Sequence, residues 1–129
     1  MFNLRIVSPK GIYSEVEVDS LTLPTIDGQR TILANHMPIV LPLQIGIMYY
    51  KLNGEMHKFF LSEGLFTFED NHGTILVNTV ENQEEIDFNR AEEAKRRAEE
   101  RLKNQQGSVD MKRAELALQR SLTRLKLRQ

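Results

Sequence analysis

The hydrophobic periodicity of the chain changes near residue 81, and no single regular architecture accommodates both sides of that point. Six of the seven glycines, all four prolines and all three histidines precede it. Beyond it, almost half of the side chains are charged and the only glycine is Gly107. Residues 1–80 hold five basic and eight acidic side chains, a net −3, whereas residues 81–129 hold twelve and ten, a net +2. A length of 129 residues suits one compact domain with a short appendage, not two full-sized domains. The division predicts an N-terminal β domain over 1–84 and a C-terminal helical part over 85–129.

The first part reads as short strands. Phe2, Leu4 and Ile6 alternate with Asn3 and Arg5, the period of a half-buried strand. Val16, Val18 and Leu21–Leu23 follow the turn signal Pro9-Lys10-Gly11, and further β-rich runs cover 31–33, 39–43, 45–52, 56–61, 64–68 and 74–80. Asp27-Gly28, Asn53-Gly54 and Asn71-His72-Gly73 separate them, and Asn53-Gly54 is the strongest hairpin signal in the chain. Recurrent short strands with turn residues between them predict an all-β sandwich or barrel. Leu4, Ile6, Val18, Leu23, Leu33, Val40, Ile47, Phe60, Leu65, Ile75 and Val77 are its expected core.

In the second part Ile86, Ala91, Ala94, Ala98 and Leu102 recur at helical spacing and stop before Asn104-Gln105-Gln106-Gly107. Ser108 is a suitable N-cap, and Met111, Ala114, Leu118, Leu122 and Leu125 form the stripe of a second helix. A loop of about four residues between them predicts an antiparallel hairpin. Its inner faces carry Ala91, Ala94 and Ala98 against Ala114, Ala117 and Ser121. Such a seam brings the axes close but buries little apolar area, so the pair is held weakly and is a candidate moving part. Residues 81–100 are net −4 and residues 101–129 net +6, and acid at the start and base at the end of each helix suit the helix dipoles.

Catalytic signatures are missing. No phosphate-binding loop, dinucleotide fingerprint, GxSxG or HExxH occurs, and there is no cysteine to act as nucleophile, thiolate ligand or disulfide partner. No run approaches the 18 apolar residues of a membrane span, and Met1–Lys10 lacks the features of a signal peptide. A net charge of −1 excludes a globally basic nucleic-acid binder. His57 and His72 are expected at the surface, and His36 in an ordered proline-containing loop. The arginines are the one arrangement with chemical promise. With the hairpin centred near Gln106, Arg90 faces the neighbourhood of Arg120 and Arg124, and Arg97 lies two turns along the same face as Arg90. Guanidinium groups that converge with Asp87 and Glu81 nearby suit phosphate oxygens, with Ile86 and Ala91 offering an apolar surface to a base. The alternative is an Arg97–Glu115 ion pair with the other arginines solvated.

Taken in order, Val7-Ser8-Pro9-Lys10-Gly11, Ile32-Leu33-Ala34-Asn35-His36-Met37-Pro38-Ile39-Val40, Leu61-Ser62-Glu63-Gly64-Leu65, Glu85-Ile86-Asp87-Phe88-Asn89-Arg90-Ala91 and Asp110–Leu118 resemble the epsilon subunits of bacterial F-type ATP synthases. The resemblance runs from Phe2 to the end. It implies an all-β sandwich of two antiparallel sheets followed by an antiparallel α-helical hairpin. It further implies a non-catalytic rotor subunit of a proton-translocating enzyme, at the cytoplasmic face of the cell membrane and peripheral to it. The implied partners are the gamma subunit, the c ring and the catalytic alpha/beta subunits, without nucleic acid or membrane insertion. Extension of the hairpin inhibits ATP hydrolysis in such subunits, and in some of them ATP, a regulatory ligand rather than a cofactor, stabilises the folded-down state. The matching ATP-binding positions are Glu81, Ile86, Asp87, Arg90, Ala91, Arg97, Arg120 and Arg124, with no metal. Contacts of Arg113, Arg120, Arg124, Lys126 and Arg128 with alpha/beta would carry inhibition. Gln29, Arg30 and His36 fall at gamma and c-ring contacts. Gln29 replaces a frequent acidic residue and Ser62-Glu63-Gly64-Leu65 replaces the usual S-G-G-F, which alters one polar contact and one tight turn. Two readings from other classes are a free-standing adaptor whose basic hairpin binds nucleic acid, and a small nucleotide hydrolase, which the absent phosphate loop opposes.

Overall fold

Alternation along the first eighty residues becomes ten strands in the computed structural model, which describes residues 1–104 and 108–128, without the side chains of Ser108 and Val109. They are β1 (Phe2–Ser8), β2 (Gly11–Val18), β3 (Ser20–Thr25), β4 (Gly28–Leu33), β5 (Ile39–Leu43), β6 (Gly46–Leu52), β7 (Glu55–Leu61), β8 (Gly64–Glu69), β9 (His72–Val77) and β10 (Val80–Asn82). Two helices follow, α1 (Phe88–Asn104) and α2 (Ser108–Leu125). The chain divides into two units, Met1–Asn82 and Gln83–Gln129.

Turn chemistry sets the strand pairing. Asn53 and Gly54 both adopt positive φ, 53° and 82°, the requirement of a two-residue type I′ hairpin, and they join β6 to β7 with Leu52 opposite Glu55. The β8–β9 turn is made by Asp70 and Asn71, at φ 50° and 62°, one step earlier than the sequence suggests, and His72 already belongs to β9. The ladder runs β10-β7-β6-β3-β5-β8-β9-β1-β2, with β4 on the other side of β3. β3 is the branch point: Ser20–Thr22 pair with Tyr49–Lys51 of β6, and Thr25 pairs with Leu43 of β5. The pairings are antiparallel apart from β1 beside β9, which is parallel. The result is the expected β-sandwich, closed almost to a barrel, with a helical hairpin after it.

The inner faces bury Phe2, Leu4, Ile6, Val18, Leu21, Leu23, Phe66, Phe68 and Ile75 almost completely. Phe2 meets Phe68 edge-on at 5.3 Å and Tyr50 stacks on Phe59 at 5.3 Å, geometries favoured by the ring quadrupoles. Three expected core residues are instead exposed: Leu33 (58%), Val40 (63%) and Leu65 (36%), while Ile47 is half-buried. In each exposed case the adjacent residue, Ile32, Leu41 or Phe66, takes the inward position. Successive strand residues face opposite sides, so in a run of consecutive apolar residues the inward parity is set by partners rather than by hydrophobicity.

In the hairpin, Ile86 is buried but precedes α1, so it belongs to the lead-in rather than to the helical stripe. Ala91, Ala98, Ala114 and Ser121 are buried, and Ala94 and Ala117 are half-buried, which reproduces the expected seam of small residues. The loop expected near Gln106 and the cap expected from the Ser108 side chain lie outside the described residues.

Candidate functional site

At the start of α1, Asp87 is the N-cap. Its Oδ1 accepts the Arg90 backbone N–H at 3.0 Å, satisfying one of the donors that the first turn leaves without an intrahelical partner, and its carbonyl accepts that of Ala91 at 3.0 Å as the first bond of the helix. The carboxylate also opposes the positive end of the helix dipole. This cap fixes where Arg90 leaves the helix. Arg90 and Arg97 are seven residues apart, hence on one face of α1, and both are exposed. Arg120 and Arg124 are one turn apart on α2, and both are half-buried and engaged in interactions of their own. Arg97 and Glu115 do not form the ion pair considered above. Ile86 and Ala91 are only 6% and 4% exposed, so neither presents open apolar surface in this state. Of the eight positions matched to nucleotide binding, seven lie in the hairpin unit, whereas Glu81 is half-buried on β10 of the sandwich.

Of the basic residues on and after α2, Arg113 and Lys126 are exposed. Arg128 is held within the hairpin: its Nη1 lies 3.7 Å from Glu92 Oε2, and its guanidinium stands 5.4 Å above the Phe88 ring. Nearby, the Gln83 side-chain amide donates to the Leu127 carbonyl at 2.6 Å. The sequence did not single out Gln83, Phe88 or Glu92, and their partners are 36 or more residues away. Two buried hydroxyls of α2 bond backward along it, Ser121 to the Ala117 carbonyl at 2.9 Å and Thr123 to that of Gln119 at 2.7 Å.

On the sandwich, Gln29 and Arg30 are exposed on β4, opposite Pro24 and Leu23. His36 occupies a tied loop. Its Nδ1 lies 2.7 Å from the Met37 carbonyl, its ring meets Phe68 edge-on at 6.0 Å, and the Asn35 N–H donates to Asn71 Oδ1 at 2.7 Å. His57, expected to point into solvent, is half-buried and stacks on Tyr50 at 5.1 Å. A feature missed from sequence is a cross-strand row on the outer face. Pro42 lies opposite Leu65, Leu65 opposite Leu76, Leu76 beside Val7, and Val7 opposite Ile12. Ile12 is 61%, Leu76 44% and Leu65 36% exposed, and Val40 extends the row along β5. Val7, Leu65 and Leu76 of the row, with Pro9 and Gly64, line a groove of about 360 Å³. Contiguous exposed apolar side chains of this kind mark interaction surfaces. Among the described residues, no group of three His, Asp or Glu side chains could hold a metal ion.

Residues 1–83 match the beta-sandwich domain of the ATP synthase delta/epsilon chain, and residues 84–129 match its long alpha-helix domain. The chain belongs to the ATP synthase delta/epsilon family. Within that family it is similar to the ATP synthase epsilon chain of Clostridium novyi, 43% identical over 109 residues and covering 82% of each chain. The epsilon chain of Desulfitobacterium hafniense is 42% identical over 106 residues, 82% of this chain and 80% of that one. The fold is shared with a chain of the Euglena gracilis mitochondrial ATP synthase, solved with OSCP, F1 and the c-ring. That match has a TM-score of 0.82 at 22% identity and covers 93% of this chain and 76% of the other. As an epsilon-type family member the chain is a non-catalytic accessory subunit of ATP synthase, which sets aside the nucleotide-hydrolase reading.

Proposed function

We propose that this epsilon-type chain is a central-stalk rotor subunit of a proton-translocating F-type ATP synthase, at the cytoplasmic face of the cell membrane. The sandwich, residues 1–84, docks on the gamma subunit and the c ring. The observation that carries this reading is the apolar row Ile12, Val7, Leu76, Leu65 and Pro42, which lies in register over five strands and is exposed except at the half-buried Val7. Gln29, Arg30 and His36 supply polar contacts to gamma and the c ring. No helix among the described residues is long and apolar enough to cross a membrane, and attachment runs through these partners. Leu76→Asp places a charge in the middle of the row without touching the core. The variant should unfold at the parental temperature yet fail to co-purify with gamma and the c ring; undiminished co-purification refutes the docking face.

The hairpin, residues 85–129, restrains hydrolysis when it extends towards alpha/beta, where Arg113, Arg120, Arg124, Lys126 and Arg128 meet acidic surface. ATP stabilises the folded-down state through Arg90, Arg97, Arg120 and Arg124 on its phosphates, with Ile86, Asp87 and Ala91 beside them around the start of α1. The shared face of Arg90 and Arg97 and the one-turn spacing of Arg120 and Arg124 support this assignment, because guanidinium forks match phosphate oxygens. A ligand selective for one state stabilises it by RT ln(1 + [L]/Kd), about 2.7 kcal/mol at a hundredfold excess over Kd.

A further inference from the structure

The contacts that close the open end of the hairpin form a group of their own. The backbone after α2 continues in tight turns, with the Leu127 N–H donating to the Arg124 carbonyl and the Arg128 N–H to that of Leu125, each at 3.1 Å. This curl turns the Leu127 carbonyl to the Gln83 amide at 2.6 Å, with Leu127 itself 4% exposed. It also sets the Arg128 guanidinium above Phe88, within the roughly 6 Å reach of a cation–π contact, and beside Glu92. Gln83 precedes α1, and Phe88 and Glu92 are in its first two turns. Three different kinds of contact therefore join one short segment to the root of the other helix. The exposed ion pair adds little alone; its geometry matters because the ring contact holds the same Arg128 and the hydrogen bond holds the adjacent Leu127.

We propose that Gln83, Phe88 and Glu92 form a clasp for Leu127 and Arg128, and that release of this clasp is the first step in parting α1 from α2. The inference rests on the two-state hairpin proposed above and adds its point of control. The hairpin opens from its root, and opening releases the same Arg128 guanidinium that the extended state presents to acidic partner surface. Closed and extended states compete for one side chain, so a partner that captures Arg128 biases the equilibrium before either helix has moved far.

The test uses the full chain. Its sequence contains no cysteine, so Glu93→Cys and Gln119→Cys, exposed positions on α1 and α2, accept spin labels cleanly for distance measurement. Gln83→Leu and Arg128→Ala should each raise the long-distance population roughly two- to tenfold, the equivalent of one net hydrogen bond or ring contact. Arg128→Lys keeps the charge but loses the planar stack and should give a smaller rise. Lys112→Ala, exposed and outside the clasp, should give none. Helix content from circular dichroism confirms that each variant is folded. Distance distributions in Gln83→Leu and Arg128→Ala that match the parent overturn the clasp. Inhibition of hydrolysis in the reconstituted enzyme is a separate readout: if the clasp variants open but the parent never restrains hydrolysis, the clasp stands and the inhibitory reading falls.

Discussion

Replacing Asp87 separates the cap seen in the hairpin from the nucleotide contact proposed for the same carboxylate. In the hairpin it caps α1, accepting the Arg90 N–H at 3.0 Å, while family resemblance marks it as a nucleotide contact. Loss of an N-cap on Asp→Ala costs about 1 kcal/mol, whereas Asn caps nearly as well as Asp. The seam sets the scale for that figure. Ala91, Ala98 and Ala114 each bury a single methyl group, worth about 0.8 kcal/mol apiece, so one cap equals about two-fifths of what these three contribute. Asp87→Ala should therefore lower the unfolding temperature of the helical signal by several degrees and speed amide exchange at Arg90 and Ala91. Asp87→Asn should retain most of both and lose only the charge–dipole part, about 0.3 kcal/mol at this exposed helix end. If ATP affinity falls in both variants while only Ala frays the helix, the carboxylate contacts the nucleotide as well as the cap. Asp87→Asn fraying α1 as much as Asp87→Ala, or neither variant altering exchange at Arg90, refutes the capping argument.

Arg90→Ala should weaken ATP binding by tenfold or more in calorimetry on the isolated chain, and ADP should bind the parent less tightly, having one phosphate fewer for the guanidinium groups. Arg5→Ala, which removes only a surface ion pair with Glu15, should leave the ATP heat unchanged. Gly64→Ala should destabilise the sandwich by about 1–3 kcal/mol in chemical denaturation, because the new Cβ would sit 2.1 Å from the Leu76 carbonyl oxygen, a backbone atom of the paired strand. Burial raises the Tyr50 phenol above its ordinary value of 10.0. Above that pH the unfolded chain binds fewer protons than the folded one, so stability is unaffected near neutrality and declines as pH passes about 10. Tyr50→Phe should remove this part of the alkaline decline, read from denaturation midpoints between pH 9 and 11.

The architecture was legible because two periods occupy separate parts of the chain. Phe2-Asn3-Leu4-Arg5-Ile6 carries its inward face in plain alternation, and Asn53-Gly54 specifies its turn through the positive φ that both residues tolerate. Thr31-Ile32-Leu33, Ile39-Val40-Leu41 and Leu65-Phe66 place apolar residues side by side, and there local pattern leaves parity undetermined. The misplacement of Leu33, Val40 and Leu65 follows from that, and it concealed the outer row that now supports docking. Asp87 could have been found as a cap from its position directly before a helical stripe. Gln83 and Leu127 could not, since a hydrogen bond between residues 44 apart leaves no local mark in the sequence. The arginine positions were legible as spacing on each helix.

The hydroxyls of Ser121 and Thr123 bear on how readily α2 can change its surroundings. A buried polar side chain that bonds across an interface loses its partner when the interface separates, at about 1–3 kcal/mol for each group stranded away from water. These two donate to carbonyls one turn back in their own helix and take those bonds along wherever the helix goes. Their environment can shift from a neighbouring helix to solvent or to the surface of another subunit with no donor orphaned on the way. These two side chains are self-sufficient in hydrogen bonding, and the work of relocating the helix falls on the methyl groups of the seam, on the interactions of Arg120 and Arg124 and on the contacts at its end.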